Sequence, residues 1–216
     1  MSAPLHPNPH GPTAERLLAV AARLFRVHGY AATSTRELSR GLGIGSATLY
    51  HHVGKKEDLL FAICLDALER LDQATREALD QQTDPLERVR RLLRAHLITA
   101  LQDRDKHATM LIDLPNLSPE RRADVLRRRA VYQRLVRNTI AEAQAAGVVR
   151  SDLPARYIAR GLFNLLNWSI FWWRPDGELT PNALAELLTT VFLEGAGRQL
   201  SQPHAQQHLG RARLTG

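Results

Sequence analysis

The sequence predicts an all-α protein of about nine helices, with three short helices first and six mostly longer helices after them. Apolar residues recur at spacings of three and four along most of the chain, which is the periodicity of amphipathic helices. Capping residues or prolines stand before several of these segments, and glycines follow others. No stretch shows the alternation of apolar and polar residues that is typical of a β-strand.

Composition restricts the class of protein and the kind of partner. The 216 residues carry a formal net charge of +7, and such a basic balance favours an anionic partner. Cys64 is the single cysteine, which excludes an internal disulfide and fits a reducing compartment. The start of the chain lacks the pattern of a signal peptide, and the apolar stretch at residues 162–173 is far shorter than the roughly 20 residues of a membrane span. We therefore expect a cytoplasmic protein without a membrane partner.

Three short helices are predicted near the start of the chain, over residues 13–28, 36–40 and 46–52. Gly29 follows the apolar stripe of the first helix, at the position where glycine commonly ends helices. Thr33 or Thr35 stands where a hydroxyl group can cap the second helix. Gly41 and Gly43 then interrupt the pattern, so a tight turn is expected between the second and third helices.

Six further helices are predicted, and most of them begin at a capping residue or a proline. Their expected starts are Lys56, Asp84-Pro85, Lys106, Ser118-Pro119, Leu153-Pro154 and Thr180-Pro181. Proline is tolerated in a first turn because the backbone nitrogen there has no intrahelical hydrogen bond to lose. Expected ends lie before Pro115 and near Gly147, Trp173 and Gly197.

Residues 41–59, GLGIGSATLYHHVGKKEDL, combine three alternating glycines with hydroxyl, aromatic and basic residues. A dinucleotide-binding loop needs a preceding strand, and a P-loop needs glycine at position 49, where this chain has leucine. His51 and His52 are adjacent, so on a helix their side chains point about 100° apart, and neither has an acidic or cysteine partner at i+4. The stretch therefore fits neither a phosphate-binding loop nor a metal site, and we expect the protein to bind neither a cofactor nor a metal.

A helix-turn-helix fits the same stretch better, because two short helices joined by a glycine-containing turn are its signature. Leu38, Leu42 and Leu49 can bury the inner faces of the two helices. The residues then left outside are Ser46, Ala47, Thr48, Tyr50 and His51. Small and hydroxyl side chains at a helix start allow close approach to base edges. Lys55 and Lys56 lie at the next helix boundary, where a lysine can reach a backbone phosphate.

Residues 24–60, LFRVHGYAATSTRELSRGLGIGSATLYHHVGKKEDLL, resemble the DNA-binding region of TetR-family transcriptional repressors. The matching features include Gly29-Tyr30, Thr33, Arg36-Glu37-Leu38, Gly43-Ile44, Thr48-Leu49-Tyr50-His51-His52 and Lys56-Glu57-Asp58-Leu59-Leu60. The resemblance implies a three-helix DNA-binding head, a six-helix body for ligand and dimer, and release from the operator on ligand binding. It also implies DNA contacts from Thr33, Arg36, Thr48, Tyr50, His51 and Lys56.

The domain organisation follows from the resemblance and the order of the elements. It comprises a disordered arm at residues 1–12, a helix-turn-helix domain at 13–55, an effector-binding and dimerisation domain at 56–200, and a flexible tail at 201–216. The arm is proline-rich and the tail is polar and aperiodic, and both compositions are typical of segments without a packed core.

The stretch RYIARGLFNLLNWSIFWWRPDGELT, residues 156–180, is the most distinctive part of the body. The spacing of Leu162, Leu165, Leu166 and Ile170 predicts an apolar seam on this helix. The resemblance implies that the last two helices form the dimer interface, so we expect this seam to face a partner. Asn164, Asn167 and Trp168 place polar and aromatic groups in an apolar helix, either as a pocket wall or as satisfied core groups. The sequence leaves both interpretations open.

The segment at residues 173–177, WRPDG, resembles the corresponding segment in a subgroup of TetR-family proteins that respond to acyl-CoA thioesters. Such a ligand needs an apolar tunnel and cationic groups for its phosphates. The expected tunnel walls are Leu111, Tyr132, Phe163 and Trp168. The helix before Gly147 carries seven arginines, Arg121, Arg122, Arg127, Arg128, Arg129, Arg134 and Arg137, which are either phosphate ligands or a solvated face.

We therefore expect a ligand-responsive transcriptional repressor that binds a palindromic double-stranded DNA operator. It is expected to act as a homodimer through its last two long helices and to be released by a small apolar or acyl-CoA-type effector. An effector-independent DNA-binding protein and an α-helical enzyme are the alternatives. The sequence offers no nucleophile–base pair, metal cluster or cofactor loop, so we expect no enzymatic activity.

Overall fold

The computed structural model describes residues 14–45, 47–49 and 54–196, and every regular element in these ranges is helical. In chain order they are α1 (Ala14–His28), α2 (Thr35–Leu42), a helical segment at residues 47–49 (α3), α4 (Lys56–Leu79), α5 (Pro85–Gln102), α6 (Arg104–Asp113), a 3-10 turn (Leu114–Asn116), α7 (Pro119–Ala145), α8 (Ala155–Trp172) and α9 (Pro181–Ala196). The all-α prediction is confirmed. The predicted arm and tail, and residues 46 and 50–52 of the predicted third helix, lie outside the described residues.

The start of α2 is fixed by a capping box. The Ser34 hydroxyl accepts a hydrogen bond from the Glu37 backbone N–H at 3.2 Å, and the Glu37 carboxylate accepts one from the Ser34 backbone N–H at 2.7 Å. Two backbone donors that a helix start leaves unsatisfied are thereby paired. The predicted cap at Thr33 or Thr35 is wrong, because Ser34 between them holds the cap position. Gly43, with φ of 69°, ends the helix in the left-handed conformation that glycine adopts without strain.

The longer helices begin close to the predicted signals. Asp84 accepts a hydrogen bond from the Glu87 backbone N–H at 2.7 Å and Pro85 follows it, so the predicted start of α5 is confirmed. The short helix α6 begins at Arg104, two residues before its predicted start. Among the described helices, none combines the length and the apolar content that crossing a membrane requires.

Buried apolar side chains form two clusters that meet along α4. The first contains the inner faces of α1 and α2, Leu49, the part of α4 up to Leu68, and residues from α6 to the start of α7. The second begins at Leu71 on α4 and fills the space among α5, α7, α8 and α9. Leu111 on α6 packs against both clusters. A head built on α1–α3 and a body built on α5–α9 therefore share α4.

Candidate nucleic-acid interface and effector cavity

The apolar sides of α2 and α3 pack into the first cluster, which leaves their other sides outward. Leu38, Leu42 and Leu49 are buried, as the sequence predicts. The Leu49 backbone N–H donates to the Gly45 carbonyl at 3.0 Å, so helical hydrogen bonding resumes directly after the glycine turn. Two short helices joined by a turn that contains Gly43 form the geometry of a helix-turn-helix.

Three of the predicted DNA contacts lie on the outward side of this unit. Arg36 on α2 and Ala47 on α3 are exposed, and Thr48 is half-buried. A base-reading surface needs such accessible side chains at the start of the second helix. Ser46, Tyr50 and His51 lie outside the described residues, so their predicted DNA contacts stay predictions.

Two other predicted DNA contacts are turned into the protein. Thr33 is buried, and its hydroxyl donates to the Gly29 carbonyl at 2.9 Å, which closes the turn after α1. The Lys56 ammonium donates to backbone carbonyls of the same turn, at Tyr30, Ala31 and Thr33. The structure therefore corrects the prediction for Thr33, which has no surface to offer DNA. The DNA contact of Lys56 stays a prediction, although its ammonium group is bonded to backbone carbonyls.

The first turn of α4 also fastens the head to the loop before α7. Glu57 accepts a hydrogen bond from the Ser118 backbone N–H at 2.8 Å, and this bond lowers the pKa of Glu57. Asp58 accepts from the Lys55 backbone N–H at 2.7 Å and pairs with Arg121. The loop before α7 and the start of α7 are therefore bonded to the residues that directly follow the helix-turn-helix.

The short helix α6 makes a second connection between body and head. The Thr109 hydroxyl donates to the Ala22 carbonyl of α1 at 3.2 Å, and Asp105 pairs with Arg26 of α1 at 2.5 Å. On its other side, Arg104 Nε donates to the Ile170 carbonyl near the end of α8 at 2.6 Å. One short helix thus contacts both α8 and α1.

A chain of buried polar groups joins four helices inside the body. Thr75 of α4 and Tyr132 of α7 lie 3.2 Å apart through their hydroxyl oxygens, and the Tyr132 oxygen lies 2.8 Å from His96 Nδ1 on α5. His96 Nε2 lies 3.2 Å from Asn167 Oδ1 on α8. Since a carbonyl oxygen only accepts, His96 carries its proton on Nε2, and Nδ1 accepts from Tyr132. Burial lowers the pKa of His96 to about 4, so the ring is neutral near pH 7.

His107 lies next to this chain without completing it. Its ring centroid is 5.9 Å from that of His96, and its Nε2 has no hydrogen-bond partner among the described residues. Burial, followed by the charges of His96 and Arg129, lowers the pKa of His107 to about 3. An unpaired polar atom in a core is costly, so the core around α6 is not at its stability optimum.

A cavity of about 680 Å³ opens between α7 and α8. Five arginines line it, three from α7 and two from α8: Arg129, Arg134, Arg137, Arg156 and Arg160. Of the predicted effector residues, Phe163, Asn164 and Asn167 line the same cavity. None of the described residues in its wall is acidic. The cavity therefore combines concentrated positive charge with amide groups and one aromatic ring.

The other predicted effector residues lie in three different places. Tyr132 is buried behind the cavity wall, with its ring centroid 6.1 Å from that of Phe163. Leu111 lies between the two apolar clusters and is not part of the cavity wall. Trp168 is 63% exposed on the outer face of α8, so its predicted place in a ligand tunnel is wrong. The sequence therefore predicted α8 and three of its cavity residues, but it assigned Trp168 to the wrong side of this helix.

The predicted dimer seam is also assigned to the wrong face of α8. Leu162, Leu166 and Ile170 are buried in the core of their own subunit, and Leu165 is partly buried against the same core. Large apolar side chains are instead exposed elsewhere on the last two helices: Tyr157, Trp168 and Trp172 on α8, and Leu187 and Val191 on α9. We call these five residues the α8–α9 apolar face.

Comparison with known proteins identifies the family. Residues 82–196, more than half of the chain, match the family described as "Tetracyclin repressor-like, C-terminal domain". Residues 17–63 match the family described as "Bacterial regulatory proteins, tetR family". The chain belongs to the TetR family.

Individual TetR-family relatives cover nearly the whole length of the chain. The transcriptional repressor KstR2 of Mycolicibacterium smegmatis is 28% identical over 207 residues, which are 94% of this chain and 100% of that protein. The crystal structure of PfmR from Thermus thermophilus is 36% identical with a TM-score of 0.77 and covers 85% of this chain and 100% of its own. AibR, solved with isovaleryl coenzyme A and operator DNA, is 27% identical with a TM-score of 0.73, over 82% and 96% of the two chains.

This TetR-family protein is thus a DNA-binding transcriptional regulator rather than an enzyme, and its KstR2 relatives support a repressor. Sequence reasoning missed Arg156 and Arg160 as cavity residues. Their spacing of four places them on one side of α8, and Arg129, Gln133 and Arg137 repeat at the same spacing on α7. This periodicity could have indicated an arginine-rich side on each helix. It could not show that the two sides face one cavity, because that depends on how α7 and α8 pack in the tertiary structure.

Proposed function

We propose that this TetR-family protein is a homodimeric repressor that binds a palindromic operator and is released by an acyl-CoA-type thioester. The observation that carries the effector class is the arginine-lined cavity between α7 and α8. The phosphates of such a ligand complement the positive charge of this cavity, and its attached apolar group complements the aromatic residues behind the cavity wall.

The phosphate part of the effector matches the arginines. An anion that enters the cavity is attracted to these positive charges, so its binding lowers the free energy of the site. Arginine presents planar, paired N–H donors that fit phosphate oxygens in a bidentate manner. Burial lowers the pKa of Arg129, which reflects the cost of holding that charge in the wall without an anion.

The apolar part of the effector matches the inner wall. Phe163 is half-buried, and its ring centroid lies 5.9 Å from that of His96 and 6.1 Å from that of Tyr132. An acyl group that displaces Phe163 inward enters this aromatic cluster. Each methylene group that it buries there contributes about 0.8 kcal/mol to the free energy of binding. The relative AibR, which was solved with isovaleryl coenzyme A, supports a thioester of this class.

Asn167 provides the link from the cavity to the head. It lines the cavity and also accepts the hydrogen bond of His96, which continues through Tyr132 to Thr75 on α4. A ligand that moves Asn167 therefore disturbs a chain that ends on the helix shared by head and body. We infer a shift of population toward a body conformation in which the two heads of the dimer no longer match the operator.

The α8–α9 apolar face supplies the surface for the dimer. Five large apolar side chains are exposed on these two helices, and exposed apolar patches on a protein surface often mark interaction sites. A two-fold dimer places two recognition helices in successive major grooves, about 34–36 Å apart, and its two-fold symmetry matches a palindromic operator.

The experiment is a thermal-stability panel with acyl-CoAs of increasing chain length, the matching free acids and plain CoA. We expect a selective rise in Tm with one acyl-CoA class, a smaller rise with CoA and none with the free acid. The double variant Arg137→Met and Arg160→Met should lose the rise. Arg127→Met is the matched control, because Arg127 is exposed and pairs with Asp124 on the same helix.

Other outcomes of the panel would reject parts of the proposal. A response to free acids that equals the response to thioesters would exclude a phosphate role for the cavity. A flat panel together with sequence-specific DNA binding would favour an effector-independent DNA-binding protein.

A further inference from the structure

We propose that Lys56 is a positioning residue that fixes the helix-turn-helix on the head, and that it does not contact a DNA phosphate. This inference concerns how the protein recognises its operator and is independent of the effector. It rests on two kinds of contact around the ammonium group, hydrogen bonds to backbone carbonyls and a cation–π contact, and on where the bonded residues lie in the chain.

The Lys56 ammonium is saturated by backbone oxygens. Nζ lies 2.8 Å from the Tyr30 carbonyl, 2.9 Å from the Thr33 carbonyl and 3.3 Å from the Ala31 carbonyl. A lysine ammonium has three N–H donors, so each donor has a carbonyl partner. A phosphate oxygen would have to replace one of these partners.

An aromatic contact holds the same charge from another side. Nζ lies 4.4 Å from the centroid of the Tyr30 ring, within the range of a cation–π interaction. The Tyr30 ring in turn meets the ring of Phe25 edge-on, with centroids 5.1 Å apart, and Phe25 is fully buried in the head. The ammonium is therefore tied to the rigid core of α1 rather than directed toward solvent.

The residues joined by this contact flank the DNA-reading unit. Thr33 directly precedes the segment 34–55, which contains α2, the glycine turn and α3, and Lys56 directly follows it. The hydrogen bond from Lys56 to the Thr33 carbonyl closes this segment at its two ends. The orientation of α2 and α3 on the head thus depends on a bond that lies outside both helices.

The neighbouring lysine suits the phosphate role better. Lys55 is exposed, and its backbone N–H is held by Asp58 at 2.7 Å, so its side chain starts from a fixed point on the outer surface. We therefore divide the two roles between adjacent lysines: Lys55 contacts phosphate and Lys56 positions the helix-turn-helix.

The test compares Lys56→Met, Lys56→Arg and Lys55→Met in binding to an operator, selected from random duplex DNA, and to an unrelated duplex. Both affinities are measured from 50 to 200 mM salt, well below the Tm of each variant, with circular dichroism confirming the fold. Loss of a phosphate contact weakens all DNA equally and makes the salt slope shallower by about 0.9. Loss of positioning lowers the ratio of operator to unrelated-duplex affinity and leaves the slope unchanged.

We expect Lys56→Met to lower this ratio roughly tenfold or more, in line with the loss of a charged hydrogen-bonded group. Lys56→Arg should also lower it, although it keeps the charge, because a planar guanidinium does not fit a cradle of three carbonyls. Lys55→Met should show the shallower slope. A shallower slope in Lys56→Met, full function in Lys56→Arg, or a lower Tm with both affinities unchanged would each overturn the proposal.

Discussion

Tyr132 and His96 share a buried hydrogen bond of 2.8 Å between the phenol oxygen and Nδ1, at the point where α5 and α7 face each other. The same phenol oxygen is 3.2 Å from the Thr75 hydroxyl, so one group connects α4, α5 and α7. Neither Tyr132 nor His96 is exposed to solvent. This bond therefore contributes to stability, and in the proposed mechanism it also lies between the arginine-lined cavity and the head.

The first prediction concerns the Tyr132 hydroxyl. In Tyr132→Phe, His96 Nδ1 loses its donor and Thr75 loses an acceptor, and unsatisfied buried groups cost about 1–3 kcal/mol. Urea unfolding should show a lower midpoint with an unchanged slope. Tyr157→Phe is the control, because Tyr157 is exposed on α8 and its variant should stay within about 0.5 kcal/mol of the parent. Equal stability of the two variants would contradict the prediction.

The second prediction is a loss of stability in mild acid. The pKa values of His96 and His107 are about 4 and about 3 in the folded protein, because both rings are buried, against about 6.5 in the unfolded chain. Below pH 6.5 the unfolded chain therefore binds protons that the folded protein does not. The free energy of unfolding should fall as the pH is lowered from 7 to 5, by at most about 1.4 kcal/mol per pH unit for each histidine.

Histidine variants separate this effect from the titration of carboxylates. His107→Leu removes one of the two groups and should reduce the pH dependence between 7 and 5 by about half. His107→Leu also removes the unpaired Nε2 from the core. The free energy of unfolding of this variant at pH 7 should therefore stay close to that of the parent protein. His28→Gln, at an exposed position, should keep the full pH dependence. A dependence that is the same in all three proteins would assign it to other groups.

The third prediction isolates the phosphate chemistry of the arginine-lined cavity. Inorganic pyrophosphate has no apolar part, yet it should raise the Tm at low salt because its negative charge is attracted to the guanidinium groups that line the cavity. The rise should weaken with added sodium chloride and disappear in the Arg137→Met and Arg160→Met double variant. Retention of the full rise in that variant would place the anion elsewhere.

The fourth prediction concerns the α8–α9 apolar face. Replacing Trp168 and Trp172 by glutamate puts two charges where we expect a dry contact with the partner, so analytical ultracentrifugation should show a monomer. Ile112→Glu is the control, because Ile112 is also exposed and apolar but lies on α6. A stable dimer in the double variant would exclude this face as the interface.

The helix-turn-helix was predictable because its determinants are close together in sequence. The spacing of the glycines and of the apolar leucines predicted the position of the turn, and the resemblance to the family motif predicted that this unit binds DNA. The cap was not predictable in detail, because Thr33, Ser34 and Thr35 are three consecutive hydroxyl residues and helical periodicity does not choose among them. The inward direction of Lys56 was hidden for a different reason, since its partners are the carbonyls of a turn more than twenty residues earlier.

The body was predictable in its elements and less so in its faces. α8 is apolar on more than one side, so periodicity identified the helix but could not tell the core side, with Leu162, from the outer side, with Trp168. The arginine-lined cavity needs α7 and α8 side by side, and Arg137 and Arg160 line the same cavity only in the tertiary structure. Long-range pairing of this kind leaves little trace in a single sequence.

Fluorescence anisotropy of a labelled operator, titrated with the acyl-CoA that stabilises the protein most, tests the central claim most directly. We predict that saturating ligand lowers operator affinity at least about tenfold, a coupling free energy of about 1.4 kcal/mol. The Arg127→Met control should respond equally, and the Arg137→Met and Arg160→Met double variant should bind the operator but ignore the ligand. Operator affinity that stays constant in every saturating acyl-CoA would contradict an effector-released repressor.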